Sequence, residues 1–429
     1  MRLPLPSRSA LVLLACAAAC CNMAGAATSD CVGCHDQITP LAVMDWRSSR
    51  HAEEGISCDA CHKGNHRSAR DVANLTAITA QTCGGCHERQ MMEFTAGKHS
   101  RAWEAAKALP TAHALPMAMG PAAADCGACH KIGFKSAAEV AQLRAQGSVF
   151  GHASCDSCHT RHAFSVMEAR QPQACQTCHM GFDHPQWEMY SSSKHGVRAL
   201  LQQNGTLPGN VPAPRCQDCH MPSGNHEVRT AWGFFGVRLP LPEDPDWRED
   251  QSTILQALGV LDASGSPTLR LEKFRDLDMA RLTEAAFAAE RSRMSAVCDD
   301  CHSANFTKIQ LAKGDDMVRA ADGELATAIR VVAGLYADGI LSPPPGSMLS
   351  FPDLLGIRTA PRPIERKLYE MYLEHRMRAF QGTFHQSPDY ALWRGWSGLV
   401  RNREEIEAMA AELRRAARPT DGVGPDSHR

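Results

Sequence analysis

Eight times this chain spells Cys-x-x-Cys-His. The motifs are Cys31-Cys34-His35, Cys58-Cys61-His62, Cys83-Cys86-His87, Cys126-Cys129-His130, Cys155-Cys158-His159, Cys175-Cys178-His179, Cys216-Cys219-His220 and Cys298-Cys301-His302. They use sixteen of the 19 cysteines. The other three, Cys16, Cys20 and Cys21, precede all of them, so no later cysteine is left over for disulfides. Two thiols followed directly by a histidine at this spacing form the attachment signature of c-type haem. The thiols become thioethers to the porphyrin vinyls, and the histidine reaches the iron as proximal ligand. Zinc sites also use Cys-x-x-Cys pairs, but they do not require a histidine directly after the second cysteine. Eight repeats of that requirement point to eight c-type haems, with His35, His62, His87, His130, His159, His179, His220 and His302 as proximal ligands.

This density constrains the fold. Seven motifs lie within residues 31–220. Such a stretch has no room for a large sheet or an apolar core of its own. It calls for short helices and loops wrapped on stacked haems, with a fold coupled to its cofactor. The spacing between motifs is irregular, which favours one compact stack over a tandem array. The composition changes near residue 235, where Pro240, Pro242 and Pro245 punctuate the chain. Helical signals follow. Ser266 can N-cap a helix with Pro267 at its first position, and Leu271, Phe274, Leu282, Ala285 and Ala289 share one face up to the eighth motif. Further helices are expected over 315–337, 364–381 and 403–415, with Gly339 just past the end of the first of these. The fold class is mostly α. The expected organisation is a signal peptide at 1–26, a haem-rich domain at 27–235, a helical domain with the eighth haem at 236–415, and a disordered tail at 416–429.

Export fits this chemistry. Arg2 and Arg8 form a basic start, Ser9 to Cys21 is apolar, and Ala24-Gly25-Ala26 is a small-residue cleavage site. The apolar run is shorter than the ~20 residues of a spanning helix. The expectation is a periplasmic protein cleaved near Ala26. A lipoprotein anchored at Cys16, after Leu13-Leu14-Ala15, is the alternative. The formal net charge is −2, and no basic block suggests nucleic acid. Haem propionates add negative charge and weakly favour a basic redox partner.

The chain has 20 histidines, and twelve remain after the proximal ligands. Electron-transfer haems take a second axial ligand, whereas a catalytic haem keeps that position open. Candidate distal ligands are His51, His66, His99, His113, His152, His162, His195, His226, His375 and His385. A histidine on a polar segment is otherwise a solvated surface residue. Asp183-His184 stands apart, a few residues after the sixth motif. Between Gly181 and Pro185 it reads as a turn or a helix cap. A carboxylate beside an imidazole is also a proton-handling unit, in a chain built for electrons.

The segments "CGACHKIG", "CDSCHTRHAFSVMEARQPQACQTCHMGFDHPQWEMYSSSKHG" and "CQDCHMPSGNHEV" resemble the octahaem hydroxylamine oxidoreductase family. The "GFDHPQ…Y…SKHG" string carries most of that resemblance, and the late "FHQSPDYALWRGW" is similar to the family's C-terminal segment. The resemblance implies that the haem on Cys126, Cys129 and His130 is five-coordinate and catalytic. Asp183 and His184 would line its distal pocket and accept protons. His162, His195 and His226 would ligate electron-transfer haems. It further implies a homotrimer and, in oxidising members, a tyrosine from a neighbouring subunit cross-linked to the catalytic haem. Tyr390 is the favoured candidate here and Tyr372 the alternative; for Tyr372, ordinary packing on an amphipathic helix is the competing reading.

The expected activity is therefore oxidation of hydroxylamine to nitric oxide or nitrite. Electrons would leave to a cytochrome c or a membrane-bound, quinone-linked cytochrome. Two rivals stand beside it: reduction of nitrite or hydroxylamine, and a purely electron-conducting cytochrome. Every motif ends in histidine, so the Cys-x-x-Cys-Lys variant of pentahaem nitrite reductases is missing.

Overall fold

The structure is a computed structural model that describes residues 28–64, 66–108, 127–147, 150–181, 184–233, 235–343, 352–355 and 362–418. The export segment with Cys16 and Ala26, His113, Cys126, Asp183 and the tail beyond Arg418 lie outside the described residues. Among the described residues the regular elements are helices, and strand pairing is limited to the isolated bridges Arg238–Arg281 and Leu261–Pro267. The mostly α expectation holds. No described helix is long and apolar enough to cross a membrane.

The chain divides into two compact units. One takes residues up to Ala77 together with His159–Ser165, and the other takes Ile78–Cys158 with Val166 onward. In the first, Thr28–Ile38 carries the first motif and Pro40–Arg47 follows, with Pro40 at its first turn. Val43 is its one buried apolar side chain among the described residues, while Ile38 and Leu41 are 71% and 68% exposed. A unit this small buries too little apolar surface to stand alone, so its order has to come from attached cofactor.

The second unit holds the apolar core. The helix Ala304–Ala337 is its spine, capped at the start by Ser303, whose hydroxyl accepts the Phe306 N–H at 3.3 Å. Val318, Ala321, Leu325, Ile329, Val332 and Leu335 repeat along one face and are fully buried. Pro245–Ala257, Pro363–Glu370 and Ser397–Ala416 pack around it. The helix begins eleven residues earlier than its apolar periodicity indicates. Its first turns carry exposed Phe306 and Ile309, so a cap sets that end and burial does not. Its C-terminus matches expectation: Gly339 has φ +70°, and the Ile340 N–H reaches the Leu335 carbonyl at 3.0 Å.

The single helix expected from Pro267 to the eighth motif is two helices. Thr268 caps Leu269–Asp276, Thr283 caps Glu284–Asp299, and Asp278 between them has φ +51°. Ser266 is not the cap. Its N–H is held at 2.9 Å by the Asp262 carboxylate in a turn. The run from Pro363 to Phe384 is interrupted by a π-helical segment at Met371–Arg376, and a second π segment, Asp389–Trp396, leads into Ser397–Ala416. That last helix starts before the expected Arg403, and Ala416, assigned to the tail, closes it.

At the centre of this unit Arg376 and Asp322 form an ion pair with no solvent exposure on either side chain, at 2.6 Å. Asp322 also accepts from Trp247 Nε1 at 2.8 Å and Gln251 Nε2 at 3.1 Å. Arg376 donates to the carbonyls of Phe235 and Gly236. Every polar group of the pair is thereby answered, which a buried charge requires.

Candidate haem sites and the His130–His184 pair

Each attachment motif is built on one helical turn or its 3₁₀ equivalent. In the second, third, sixth and eighth motifs the histidine N–H donates to the first cysteine's carbonyl at 2.8–3.0 Å. That turn puts both thiols on one side and the imidazole above them. No described cysteine is in a disulfide, and all are part-exposed or exposed.

The histidines then fall into facing pairs. Ring centroids lie 6.1 Å apart for His35–His66, 6.2 Å for His62–His162, 6.0 Å for His179–His99, 6.1 Å for His302–His195 and 6.3 Å for His220–His385. Two imidazoles on one metal, each nitrogen about 2 Å from it and each ring centre about 1 Å further back, have centroids about 6 Å apart. Five proximal histidines thus meet a partner at the spacing one shared iron demands. The donor set fits haem: two thiols and one imidazole from a motif, one imidazole from elsewhere. His66, His99, His162, His195 and His385 are the rings that face these proximal histidines.

Orientation comes from the other ring nitrogen. Nδ1 of His35 meets Thr39 Oγ1 at 2.8 Å, that of His220 the Arg229 carbonyl at 3.0 Å, and that of His385 the Gln381 carbonyl at 2.8 Å. His66 Nδ1 lies 3.0 Å from the Asp71 carboxylate. These partners fix the tautomer and leave Nε2 for a metal. Burial pushes His99 and His385 down to about 4 and His179 to about 3. All three rings are therefore neutral, the form that ligates. Local sequence also seats His195. A Cβ at Gly196 would lie 2.0 Å from the Tyr190 carbonyl, so only glycine lets this turn close on its neighbour.

Motifs distant in sequence adjoin in space. In the second unit Cys83 hydrogen-bonds with Cys155, Cys129 with Cys178, and Cys175 with Cys216. Cys158 is within electrostatic reach of Cys175, and Cys219 of Cys298. The attachment points run three, five, six, seven, eight, with the fourth branching from the sixth. In the first unit Cys58 adjoins Cys31.

The fourth motif differs from the others. His130 is held through Nδ1 by the Ala102 carbonyl at 2.9 Å. The ring facing it is His184, at 6.5 Å with planes 81° apart. His184 is also 6.1 Å from His179, but His179 already faces His99. His184 thus faces both His130 and His179. Its loop begins at Gly181, with φ +97° and its N–H held by Glu188 Oε1 at 2.9 Å, and closes into Gln186–Ser191. Asp183 itself lies outside the described residues.

His375 and the two tyrosines lie among other groups. His375 faces no proximal histidine among the described residues. Its Nδ1 meets the Arg394 carbonyl at 3.2 Å and its ring lines a surface concavity. Tyr372 is 1% exposed and stacks on Phe235 at 5.9 Å. This is core packing, out of reach of a neighbouring subunit. Tyr390 is half-buried under the Arg394 guanidinium, 5.1 Å from the ring centre. His51 packs edge-on to Phe164 at 5.2 Å, His152 is buried, and the His226 N–H donates to Glu93 at 3.0 Å.

A pair of glutamines gave no signal in the sequence. Gln186 Oε1 lies 3.2 Å from His179 Nδ1, and its Nε2 donates to Gln381 Oε1 at 2.9 Å. Gln381 also holds His385 through its carbonyl, so one helix turn steadies ligands of two haems.

A family model described as seven times multi-haem cytochrome CxxCH matches residues 53–238. The chain is 26% identical over 486 aligned positions to a probable nitrite reductase–hydroxylamine oxidoreductase fusion protein of Kuenenia stuttgartiensis. That match covers 90% of this chain and 51% of the relative, so the chain spans about half the length of that curated protein. A solved reducing HAO-like protein complex from the same organism superposes with a TM-score of 0.63 at 25% identity, over 90% of this chain and 85% of that one. A hypothetical multihaem protein superposes at 0.65 with 18% identity, over 91% and 96%, and speaks for the fold alone. With paired histidines at iron spacing and eight attachment motifs, the chain is similar in sequence and fold to the multihaem c-type cytochromes of the hydroxylamine oxidoreductase type.

Proposed function

We propose that this protein is an exported redox enzyme of small nitrogen compounds, working at the haem of Cys126, Cys129 and His130 in the reducing direction. The observation that supports the site is His184 facing His130 at 6.5 Å with ring planes 81° apart, steeper than in the five facing pairs. The attached haems supply the iron that takes the substrate nitrogen and the path that delivers electrons. His184 and Asp183 hold and hand over protons at the substrate oxygen. Hydroxylamine takes two electrons and two protons to give ammonia and water, and in this reading His184 protonates the departing hydroxyl. The Ala102 carbonyl fixes the proximal ring while this happens. His51, His113, His152 and His226 stay as candidate distal ligands for the other haem irons.

Two observations favour reduction. Tyr372 is locked in its own core, and the solved relative matched over most of both chains is titled a reducing complex. Hydroxylamine oxidation is the second reading. It is supported by half-exposed Tyr390 and by the similarity to the nitrite reductase–hydroxylamine oxidoreductase fusion protein. A cytochrome c or a quinone-linked membrane cytochrome fits as electron partner in either direction, and a homotrimer fits the family resemblance. The segment 1–26 supports a periplasmic address.

The test is optical and anaerobic. Nitrite or hydroxylamine should reoxidise the chemically reduced holoprotein, and His184→Ala should slow this by about a hundredfold or more with all haems attached. Rapid reduction of the oxidised protein by hydroxylamine, with no reoxidation by nitrite, selects the second reading. Inertness to both removes the enzymatic proposal.

A further inference from the structure

Away from the haem-bearing stretches, one concavity is lined by cations and carries no carboxylate. His375, Arg378, Trp393, Arg394, Ser397 and Arg401 enclose about 200 Å³. Both π-helical segments supply walls: Met371–Arg376 gives His375, and Asp389–Trp396 gives Trp393 and Arg394. Such segments are rare and concentrate at functional sites.

The geometry of the lining is fixed. Acids outside the cavity tether two of the guanidiniums, Glu374 to Arg378 at 3.1 Å and Asp389 to Arg394 at 2.7 Å. Arg401 has no acid partner among the described residues. The His375 ring is pinned from below, because a Cβ at Gly398 would come within 2.4 Å of its Nδ1. Trp393 stands 72% exposed at the edge. Burial first, and then Arg378 and Arg401, depress the protonation of His375, so these charges converge on one point. Two ion pairs leave one guanidinium uncompensated, beside a flat aromatic wall.

We propose that this concavity is a binding site for a small planar oxyanion, of the nitrite, nitrate or carboxylate type, held by Arg401 and Arg378 against Trp393. The guanidinium fork matches the flat O–X–O edge of such anions. The volume is below the roughly 300–1,000 Å³ of pockets for larger ligands, which selects a small one. The site also adjoins the loop of His184. Arg394 is within electrostatic reach of Glu188, whose carboxylate holds the Gly181 N–H at the start of that loop. The inference stands on the cavity alone and holds for either direction of the proposed chemistry.

Nitrate is the probe. Titration calorimetry of the intact holoprotein at low ionic strength, with the haem bands followed in parallel, should give saturable heat and no spectral change. Arg401→Gln should weaken binding at least about tenfold, with Arg401→Lys intermediate and the haem spectra of both unchanged. Arg401 is exposed, so its replacement leaves folding intact. The proposal fails if the native protein gives no saturable heat, or if Arg401→Gln binds as the native protein does. It also fails if chloride binds equally well, or if nitrate shifts the haem bands and so sits on an iron.

Discussion

Replacing Arg376 with methionine tests what holds the second unit together. The native guanidinium has no solvent exposure and makes four hydrogen bonds: two to Asp322 and one each to the carbonyls of Phe235 and Gly236. Methionine fills much of the volume but answers none of them. Asp322 would keep only its neutral donors, Trp247 and Gln251, and two carbonyls would be stranded. Removing one partner of a buried, fully bonded pair costs about 3–5 kcal/mol. Replacing both by apolar side chains leaves no stranded charge, so Arg376→Met with Asp322→Leu should recover a large part of that loss. Urea unfolding of the holoprotein, followed by far-ultraviolet circular dichroism, reads both. A loss under about 1 kcal/mol in the single variant, or a double variant as unstable as the sum of its parts, would refute this reasoning. The effect should also reach a haem, since Gln381 and His385 lie on the helix that Arg376 anchors.

Three further perturbations probe the haem ligands and one cap. His385→Ala should open the sixth position on the haem of His220 and add a high-spin signal to the electron paramagnetic resonance spectrum; an unchanged low-spin count would void that pairing. Gln186→Leu removes the acceptor of His179 Nδ1, makes that imidazole less basic, and should move one haem potential upward in a spectroelectrochemical titration. Gly314→Ala places a methyl about where the Phe384 ring lies, 2.1 Å away, and should cost about 1–3 kcal/mol of urea stability. Glu139 is held down to about 2, first by the Ser136 N–H and then by Trp103. Its folded-state value is depressed, so its contribution is present above about 4.5 and is lost as pH falls from there toward 2. The group is partly exposed, so Glu139→Gln should flatten acid unfolding by no more than about 1 kcal/mol.

The attachment sites and the pool of distal ligands were legible because covalent haem demands fixed residues at fixed spacing. The pairing within that pool was not. His99 faces His179 and His385 faces His220, across long stretches of chain that only the packed fold brings together. The late helices were legible as helices from their apolar stripes, but their ends obeyed caps such as Ser303 and Thr283. A regular α-helix would set Tyr372 and His375 near one face. The π segment through them changes the angular step, and sends the tyrosine to the core and the histidine to the concavity. Gln186 and Gln381 carry no mark in sequence, since a glutamine that orients a ligand is spelled like any other.

The touching thiols of separate motifs bear on how the chain must be made. Cys83 with Cys155, Cys129 with Cys178, and Cys175 with Cys216 adjoin only once the second unit has collapsed. In an oxidising compartment, neighbouring bare thiols are exposed to crosslinking, and each wrong bond would remove a thiol from two porphyrins at once. Maturation has to run ahead of collapse, with every porphyrin fastened while its motif is still apart from the next. The finished stack thus records a timetable of assembly: thioethers first, compaction after.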